Sequence, residues 1–274
     1  MGMGNIFNMT RHAIRDERLA PWIKFIWEME ARDEEVHCKL LPTDCIDVIL
    51  NLGSEMVYEV AHDKRVAPPF HVNGLRGEHS YIHQEKDIYI FGISFYSFGL
   101  YPFVHQSMER LQGGIVSLEE LSLGLSQGLG RAVGGKDSKQ ITLGIEQVLL
   151  EELSINPAEI EKLQLIRDFL EENEEVTVQS FCEERKIHIK TFERMVLFYT
   201  GFMPKALRNI RRFQRASNQL VHGQEVHLTD ISYDNHFTDQ AHFTKVFKRF
   251  SGAAPQAFQA EKVSVKENVK YFYL

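Results

Sequence analysis

The stretch HFTDQAHFTKVFKRFSGAAPQAF, residues 236–258, decides the fold of the second half of this chain. Its aromatic residues recur at helical spacing with lysine and arginine between them, and the run closes on Gly252 and Pro255. A glycine just past the last periodic residue, with a proline shortly beyond it, is typical of a helix end. We therefore predict a helix that buries its aromatic residues and exposes its cations.

An earlier stretch repeats this pattern. FERMVLFYTGFMP, residues 192–204, matches FTKVFKRFSGAAP, residues 243–255, at an offset of 51, and upstream VQSFCEERKI aligns with LTDISYDNHF at an offset of 50. Each copy is typical of a short helix, a turn and a longer helix closed by glycine, which is a helix-turn-helix unit. The segment PKALRNIRRFQRASNQL between the copies is predicted to be a connecting helix.

In such a unit the second helix, the recognition helix, enters the major groove and presents its N-terminal residues to base edges. Apolar residues would anchor the two recognition helices to their cores: Phe192, Met195, Tyr199, Phe243, Phe247 and Phe250. The candidates for base readout are Ile189, Lys190, Thr191, Glu193 and Arg194 in the first unit, and Asp239, Gln240, Ala241, His242 and Lys245 in the second. Held on one face, the two units would contact major-groove segments one turn, roughly 34 Å, apart.

The charge of the chain is unevenly distributed. The whole chain carries a formal charge of −7, whereas residues 185–250 hold 12 Lys and Arg against 5 Asp and Glu, a net of +7. A cationic segment in an acidic protein favours phosphate. Its basic residues are predicted to neutralise DNA phosphates or to support the helix scaffold: Lys205, Arg208, Arg211, Arg212, Arg215, Lys248 and Arg249.

The first half has a different pattern. From Leu19 to about Val104 short apolar runs alternate with turn residues, which is typical of a β-sandwich or small barrel, and helical spacing begins near Ser117. Asn156, Pro157 and Glu159 then form a capping box with proline at the first helical position. We predict an α+β chain with a β-rich sensory or dimerisation domain over 1–155, a seven-helix domain of two helix-turn-helix units over 156–262, and a tail over 263–274.

Residues 156–261 resemble the DNA-binding domain of the AraC/XylS family of bacterial transcription regulators. The family's second motif, I-A-x-x-x-G-F-x-D-Q-x-H-F-x-R-x-F-K-R-x-x-G-x-x-P, stands here as ISYDNHFTDQAHFTKVFKRFSGAAP. The departures are His236 and Lys186 in place of the turn glycines, His188 in place of the serine cap, and Val196 in place of a phenylalanine. Most of them fall in the first copy, so we predict that the second copy dominates affinity.

The N-terminal region resembles the cupin-like sensory domains that are fused to this family. The resemblance implies a cytoplasmic regulator whose partner is double-stranded DNA. It also implies effector sensing, dimerisation or both, and leaves RNA polymerase and a second copy of the chain open as further partners. It names no effector.

Other features of the sequence have simpler interpretations. Three cysteines, Cys38, Cys45 and Cys182, imply no disulfide framework and fit a reducing cytoplasm. Residues 88–108 lack charge, but their glycines, serines and proline favour a buried strand and turn over a membrane span. GRAVGGKD, residues 130–137, departs from a phosphate-binding loop at its last position and favours a helix–helix connection. The acidic run at 171–175 is interpreted as a solvated helix end, with RNA polymerase or the N-terminal domain as the alternative contact.

No catalytic signature can be placed in the chain, so we predict neither enzyme activity nor a cofactor or metal. His79 and His83 are four residues apart, but their region is not predicted to be helical. Trp22, Trp27, Phe95 and Tyr96 fit either a β-sheet core or an effector pocket. Two alternatives remain: a metal- or small-molecule-binding cupin-type enzyme with a helical targeting module, and a partner-binding protein whose repeat has lost DNA binding.

Overall fold

The structure is a computed structural model of the chain. It describes residues 8–32, 35–60, 63–135, 137–222, 227–264 and 270–272. Two β-sheets form the N-terminal part, helices cover one of them, and the second half is helical. The predicted α+β class, with a β-rich first part and two helix-turn-helix units joined by a helix, is confirmed.

The first sheet has six antiparallel strands. Their order across the sheet is β1 (Asn8–His12), β2 (Ile23–Ala31), β9 (Ile88–Tyr96), β4 (Cys45–Asn51), β7 (Phe70–Asn73) and β10 (Ile115–Ser117). The second sheet has five strands in the order β11 (Lys270–Phe272), β3 (Glu35–Leu40), β8 (Ser80–Glu85), β5 (Met56–Val60) and β6 (Asp63–Val66). All pairs in it are antiparallel except β11 with β3, which is parallel.

Strands β4 and β9 lie at the centre of the first sheet and are buried on both faces. Ile49 and Ile90 point into the core between the two sheets, while Val48 and Ile93 point into the core beneath the helices. A strand covered on both faces needs apolar residues at successive positions instead of alternating ones. This explains why apolar residues occupy successive positions through most of residues 88–96. Among the described residues, no helix has the length and apolar content to cross a bilayer.

Helices follow β9, with β10 lying between the second and third of them. They are α1 (Tyr101–Val104), a 3₁₀ turn (Met108–Leu111), α2 (Leu118–Leu121), α3 (Leu123–Val133) and α4 (Ser138–Glu152). The segment GRAVGGKD joins α3 to α4, and Asp137 caps α4 by accepting a 2.8 Å hydrogen bond from the Gln140 N–H. A helix therefore precedes this segment where a phosphate-binding loop would need a strand. Its Lys136 lies outside the described residues.

The second half contains α5 (Pro157–Glu171), α6 (Val178–Glu184), α7 (Ile189–Thr200), α8 (Pro204–His222), α9 (Leu228–Asp234), α10 (Gln240–Ser251) and α11 (Pro255–Ser264). The predicted capping box opens α5. The Asn156 side chain accepts a 3.0 Å hydrogen bond from the Glu159 N–H and donates a 2.9 Å bond to the Glu159 carboxylate. The repeat is equally clear, since α9 begins 50 residues after α6, and α10 and α11 begin 51 residues after α7 and α8.

The two helix-turn-helix units belong to two different hydrophobic cores. The first helix-turn-helix unit shares one core with the N-terminal part, because Phe169, Phe192 and Tyr199 pack in the same cluster as Leu125 and Phe95. The second unit has its own core of eleven buried residues, to which the N-terminal part contributes Leu41. The connecting helix α8 begins in the first core with Leu207 and continues through the second with residues such as Phe213.

The remaining expectations concern individual residues. All three cysteines are buried and free, as small core residues would be. His83 lies within strand β8 and His79 just before it, so their four-residue spacing carries no helical meaning. No three His, Cys, Asp or Glu side chains within the described ranges are grouped closely enough to hold a metal.

Candidate nucleic-acid interface

A turn precedes each recognition helix, and one residue of each turn has a left-handed backbone conformation. Lys186 has φ of 55° between α6 and α7, and His236 has φ of 53° between α9 and α10. These are the two positions where the resembled family has glycine. A left-handed backbone is strained for residues with a side chain, so both turns are held by the packing around them.

The second recognition helix, α10, exposes its N-terminal face. Asp239 caps it by accepting a 2.7 Å hydrogen bond from the His242 N–H. Gln240, Ala241 and Lys245 are exposed, whereas His242 is half-buried and its ring meets Phe237 edge to face at 5.8 Å. Of the five predicted base-reading side chains, three are therefore free to meet a base edge, Asp239 caps the helix, and His242 is used partly for packing.

The first recognition helix, α7, is capped by His188, whose Nδ1 accepts a 3.3 Å hydrogen bond from the Lys190 N–H. Lys190, Thr191 and Arg194 are exposed, and Glu193 is half-buried. Histidine thus replaces serine as the cap without loss of the capping bond. The structure leaves this face open to solvent as well.

Aromatic residues hold both recognition helices in place. The aromatic positions predicted as anchors are all buried, with Phe192, Phe243 and Phe247 fully inaccessible, and Met195 is half-buried. Phe192 contacts Phe169 and Phe181, with ring centroids 5.2 and 5.3 Å away. Such edge and tilted aromatic contacts fix the orientation of a helix more firmly than aliphatic burial alone.

Of the two roles predicted for Arg208, a phosphate contact or support of the helix scaffold, its surroundings favour the second. This residue is only 6% exposed, its guanidinium donates hydrogen bonds to the carbonyls of Phe169 and Val176, and it lies 4.0 Å over the Phe169 ring. The carbonyls at a helix C-terminus lack intrahelical donors, and a cation there is favourable. Arg208 therefore caps the C-terminal end of α5.

The three other arginines of α8 are also paired within the protein. Arg212 and Arg215 both bind the Glu174 carboxylate, while Arg211 bonds the Leu170 carbonyl and lies 3.5 Å from the Asp44 carboxylate. Although burial opposes it, these arginine hydrogen bonds hold the pKa of Glu174 below its usual range. Glu174 in the acidic run is therefore not a solvated helix end, and the carboxylates of Glu174 and Asp44 offset a small part of the net charge of +7.

The side chains of the other residues predicted to contact phosphate do not all point into solvent. Lys205 and Lys248 are exposed, and neither has a carboxylate within 4.0 Å among the described residues. Arg249 is exposed too, but its guanidinium lies over Gly77, with Nη2 3.8 Å from the position that a Cβ on that glycine would take. Arg249 therefore reaches back towards the N-terminal part.

A cavity lies between the two β-sheets of the N-terminal part. Its wall is mostly apolar and includes Trp27, Met29, Ile49 and Ile90, and its polar groups come from Tyr58, Asn73 and Gln84. Of the four aromatic residues considered for an effector pocket, Trp27 lines this cavity, whereas Trp22 and Phe95 belong to the core beneath the helices. Tyr96 lies at a separate polar cleft beside Arg167.

A buried polar network closes one end of this cavity. Asn73 donates a 2.8 Å hydrogen bond to the Tyr58 hydroxyl, which lies 2.9 Å from His71 Nε2. His71 Nδ1 faces the Pro68 carbonyl at 2.7 Å and must donate, so Nε2 accepts from Tyr58. Burial lowers the pKa of His71 to about 4, which keeps the ring neutral at pH 7. Sequence patterns carry no signal for this network, because its members are scattered over two strands and a loop.

The stability of this part depends on pH through Asp47. Burial raises the pKa of Asp47 to about 6 from 3.8, and the Ser94 hydroxyl bond at 2.5 Å offsets this only in part. The folded chain therefore holds this proton more tightly than the unfolded chain, a stabilisation that is complete below pH 4 and lost as the pH rises through 6.

We expect Asp47→Asn to gain stability relative to the wild type as the pH rises. The asparagine is neutral throughout, so the difference in free energy of unfolding should move in its favour by on the order of 2 kcal/mol between pH 4 and pH 7. Urea unfolding of both proteins at the two pH values measures this. A difference that stays constant with pH would show that Asp47 titrates normally.

Comparisons with known proteins agree with this geometry. The family model HTH_18, a helix-turn-helix domain, matches residues 181–261, and DUF6597, a domain of unknown function, matches residues 14–117. The HTH-type transcriptional activator RhaS of Escherichia coli strain SE11 is 29% identical over 119 residues, which cover 43% of this chain and 42% of RhaS. RhaS of Escherichia coli O157:H7 gives the same values. The chain thus spans less than half the length of these curated relatives.

Solved structures are similar at low identity. ToxT from Vibrio cholerae O395 is 10% identical with a TM-score of 0.44, covering 94% of this chain and 98% of that one. The AraC-like transcriptional activator CuxR is 14% identical with a TM-score of 0.32, covering 78% and 88% of the two chains.

The chain has an N-terminal part of two β-sheets, followed by two repeated helical units whose recognition helices face solvent. This arrangement defines a double helix-turn-helix protein with a β-rich N-terminal domain. Residues 181–261 match a helix-turn-helix family model, and the chain is similar over 119 residues to an HTH-type transcriptional activator.

Proposed function

We propose that this chain is a sequence-specific DNA-binding transcription regulator that contacts two adjacent major-groove segments with α7 and α10. The observation that carries the proposal is the repeat itself. Both units place an aromatic face in a core and leave the N-terminal residues of the recognition helix in solvent, including Lys190 and Arg194 in one and Gln240 and Lys245 in the other. The match to a helix-turn-helix family model and the similarity to a transcriptional activator support the same proposal.

The roles of the residues follow from their surroundings. Exposed side chains at the start of each recognition helix are proposed to meet base edges, whereas Lys205 and Lys248 are proposed to meet phosphates. Glu193 could accept a hydrogen bond from cytosine N4. The paired arginines of α8 are proposed to serve the scaffold first, since each is bonded to a carbonyl or carboxylate of the protein.

The β-rich domain is proposed to sense a small molecule. The cavity between its sheets is mostly apolar with hydrogen-bonding groups at one end, which is the usual composition of a small-molecule site, although at about 30 Å³ it must widen to admit an effector. We place the division between the sensory and DNA-binding domains at 155–156 and the end of the latter at 262. A second copy of the chain and RNA polymerase complete the set of proposed partners.

We expect Lys245→Ala to weaken binding to the preferred site by about 5- to 150-fold and to relax the preference at one or two base pairs. The side chain is exposed on the N-terminal face of α10 and adds nothing to the core, so folding should be unchanged. Lys139→Ala on α4 is the matched control, because it removes the same charge from an exposed position far from both recognition helices. Fluorescence anisotropy on the selected duplex and on single-base variants measures both effects. Equal behaviour of the two variants would contradict the assignment of α10.

A salt titration separates specific from electrostatic binding. The logarithm of the binding constant should fall linearly with the logarithm of salt concentration, with a slope set by the number of phosphates contacted. Lys248→Ala should reduce that slope by about one and weaken all sequences alike. A slope near zero for the wild type would argue that the protein does not bind DNA.

A further inference from the structure

A cavity of about 250 Å³ lies where the second helix-turn-helix unit meets the N-terminal domain. The loop between β7 and β8 supplies four of its eight lining residues, and α10 supplies one side chain from the opposite side. The lining residues are Val60, Arg76, Gly77, Glu78, His79, Ser80, Gly113 and Arg249. The cavity is distinct from the one between the two sheets.

Arg249 enters this cavity from the DNA-binding side. It lies in the last turn of α10, and its guanidinium extends across the domain junction to the loop at Gly77. Among the described residues, no carboxylate lies within 4.0 Å of it to form an ion pair. The junction is tight next to it, since a Cβ on Gly252 would lie 2.5 Å from the His79 ring.

Arg76 lines the same cavity from the sensory side and is only 7% exposed. Its guanidinium donates to the Asn73 side-chain oxygen at 2.8 Å and to the Ser80 hydroxyl, and it lies 5.1 Å over the Tyr58 ring. Both acceptors are neutral, and within the described ranges no carboxylate reaches 4.0 Å. Buried Asp47 attracts this cation from beyond that distance, but a buried cation whose hydrogen-bond acceptors are all neutral is incompletely compensated and gains from an anion placed beside it.

The charges that face the cavity leave it positive. Arg76 and Arg249 stand against the single carboxylate of Glu78, and His79 adds a further positive charge when it is protonated. Two guanidinium groups that converge on one space suit the oxygens of a carboxylate or phosphate, because each can donate two parallel hydrogen bonds.

We propose that this cavity binds a small anionic compound through a phosphate or carboxylate group held between Arg76 and Arg249. The volume suits a compound near the lower limit of ligand size. An occupant would tie α10 to the N-terminal domain and would keep Arg249 from the DNA backbone. That consequence rests on the proposed DNA-binding function, whereas binding of the anion does not.

Thermal unfolding of the full-length protein without DNA tests the site. Inorganic phosphate and succinate are titrated separately at constant ionic strength, with sodium chloride replaced, so that the two chemistries are distinguished. One of them should raise Tm of the wild type saturably by about 2–4 °C at ten times its Kd. Arg249→Gln should abolish the rise, and Glu78→Gln should produce it at lower concentration because the opposing carboxylate is gone. Arg131→Gln, an exposed arginine on α3, is the charge-matched control and should behave as the wild type.

The variants distinguish binding in this cavity from binding elsewhere on the protein. A rise that survives in Arg249→Gln, or one that Glu78→Gln leaves unchanged, would mean that the anion binds elsewhere and would overturn the proposal. The absence of a saturable rise with either anion in the wild type would overturn it as well. A rise with the expected variant pattern, in a protein that binds no DNA, would support the site while rejecting the proposed function.

Discussion

Phe243→Ala should unfold the second helix-turn-helix unit and leave the N-terminal domain folded. Phe243 is fully buried, its ring lies 5.1 Å from Phe237 and 5.5 Å from Phe247, and all three belong to the core that only Leu41 joins from the N-terminal side. Removing a buried phenylalanine costs about 3–5 kcal/mol. A small helical unit cannot absorb this loss, so α9 to α11 should lose their protection from hydrogen exchange.

Phe192→Ala, the equivalent change in the repeat, should act differently. Phe192 is also fully buried, but its core continues into the helices α2–α4 and the first β-sheet. The same loss of about 3–5 kcal/mol should therefore lower protection across α5–α7 and the N-terminal helices together. Hydrogen exchange followed by mass spectrometry on both variants measures the two patterns. If both variants lost protection in the same elements, the two cores would not be separate.

Gly201→Ala should detach the first recognition helix from the N-terminal domain. Gly201 has φ of 77° at the end of α7, and a Cβ there would lie 2.6 Å from the Met108 carbonyl oxygen. A left-handed alanine costs about 1–2 kcal/mol, and the clash is with backbone, which cannot rotate away. The Gln112 side chain donates a hydrogen bond to the Gly201 carbonyl, and this bond would be lost with the contact. We expect a total loss of about 3 kcal/mol or more.

Gly113→Ala separates the cost of a left-handed backbone from the cost of the steric clash. Gly113 is also left-handed, with φ of 61°, but nothing lies within 4 Å of the position of its Cβ. It should lose only the conformational part, about 1–2 kcal/mol. Denaturant unfolding of the two variants gives the difference. Equal losses would mean that the end of α7 does not rest on the 3₁₀ turn as the structure shows.

The helices of the second half could be predicted from local signals in the sequence. Asn156 and Pro157 mark the start of α5, Gly201 and Gly252 mark the ends of the recognition helices, and the offset between the copies is the same in sequence and structure. Capping and left-handed glycines act over a few residues, so they remain legible without knowledge of tertiary contacts.

The environment of the basic residues could not be predicted in the same way. Arg208, Arg212 and Arg215 bond to acceptors 32 to 41 residues earlier in the chain, at the end of α5 and in the acidic run that follows it. Periodicity places these arginines on a helix but does not say what packs against that helix. Arg249 was predicted to neutralise phosphate or support the scaffold for the same reason, and no local pattern indicates that it reaches a loop of the N-terminal domain.

The boundary between the domains shows a further limit of sequence patterns. The capping box at Asn156 correctly marks a new helix, yet the hydrophobic core continues across it from the N-terminal helices into α5 and α7. Tyr101 illustrates this continuity, since its ring lies 4.7 Å from Tyr199 and its hydroxyl bonds the Glu159 carboxylate. A local signal can locate a helix start, but only the packed structure shows which residues share a core.

Selection from a random duplex pool with the full-length protein tests the central claim most directly. Two recognition helices with free N-terminal faces predict an enriched site of two conserved segments about one helical turn, roughly 34 Å, apart. Lys245→Ala should weaken binding to one segment of the selected duplex, and Arg194→Ala should weaken binding to the other. A pool that shows no enriched sequence, or binding that neither substitution weakens, would contradict the account.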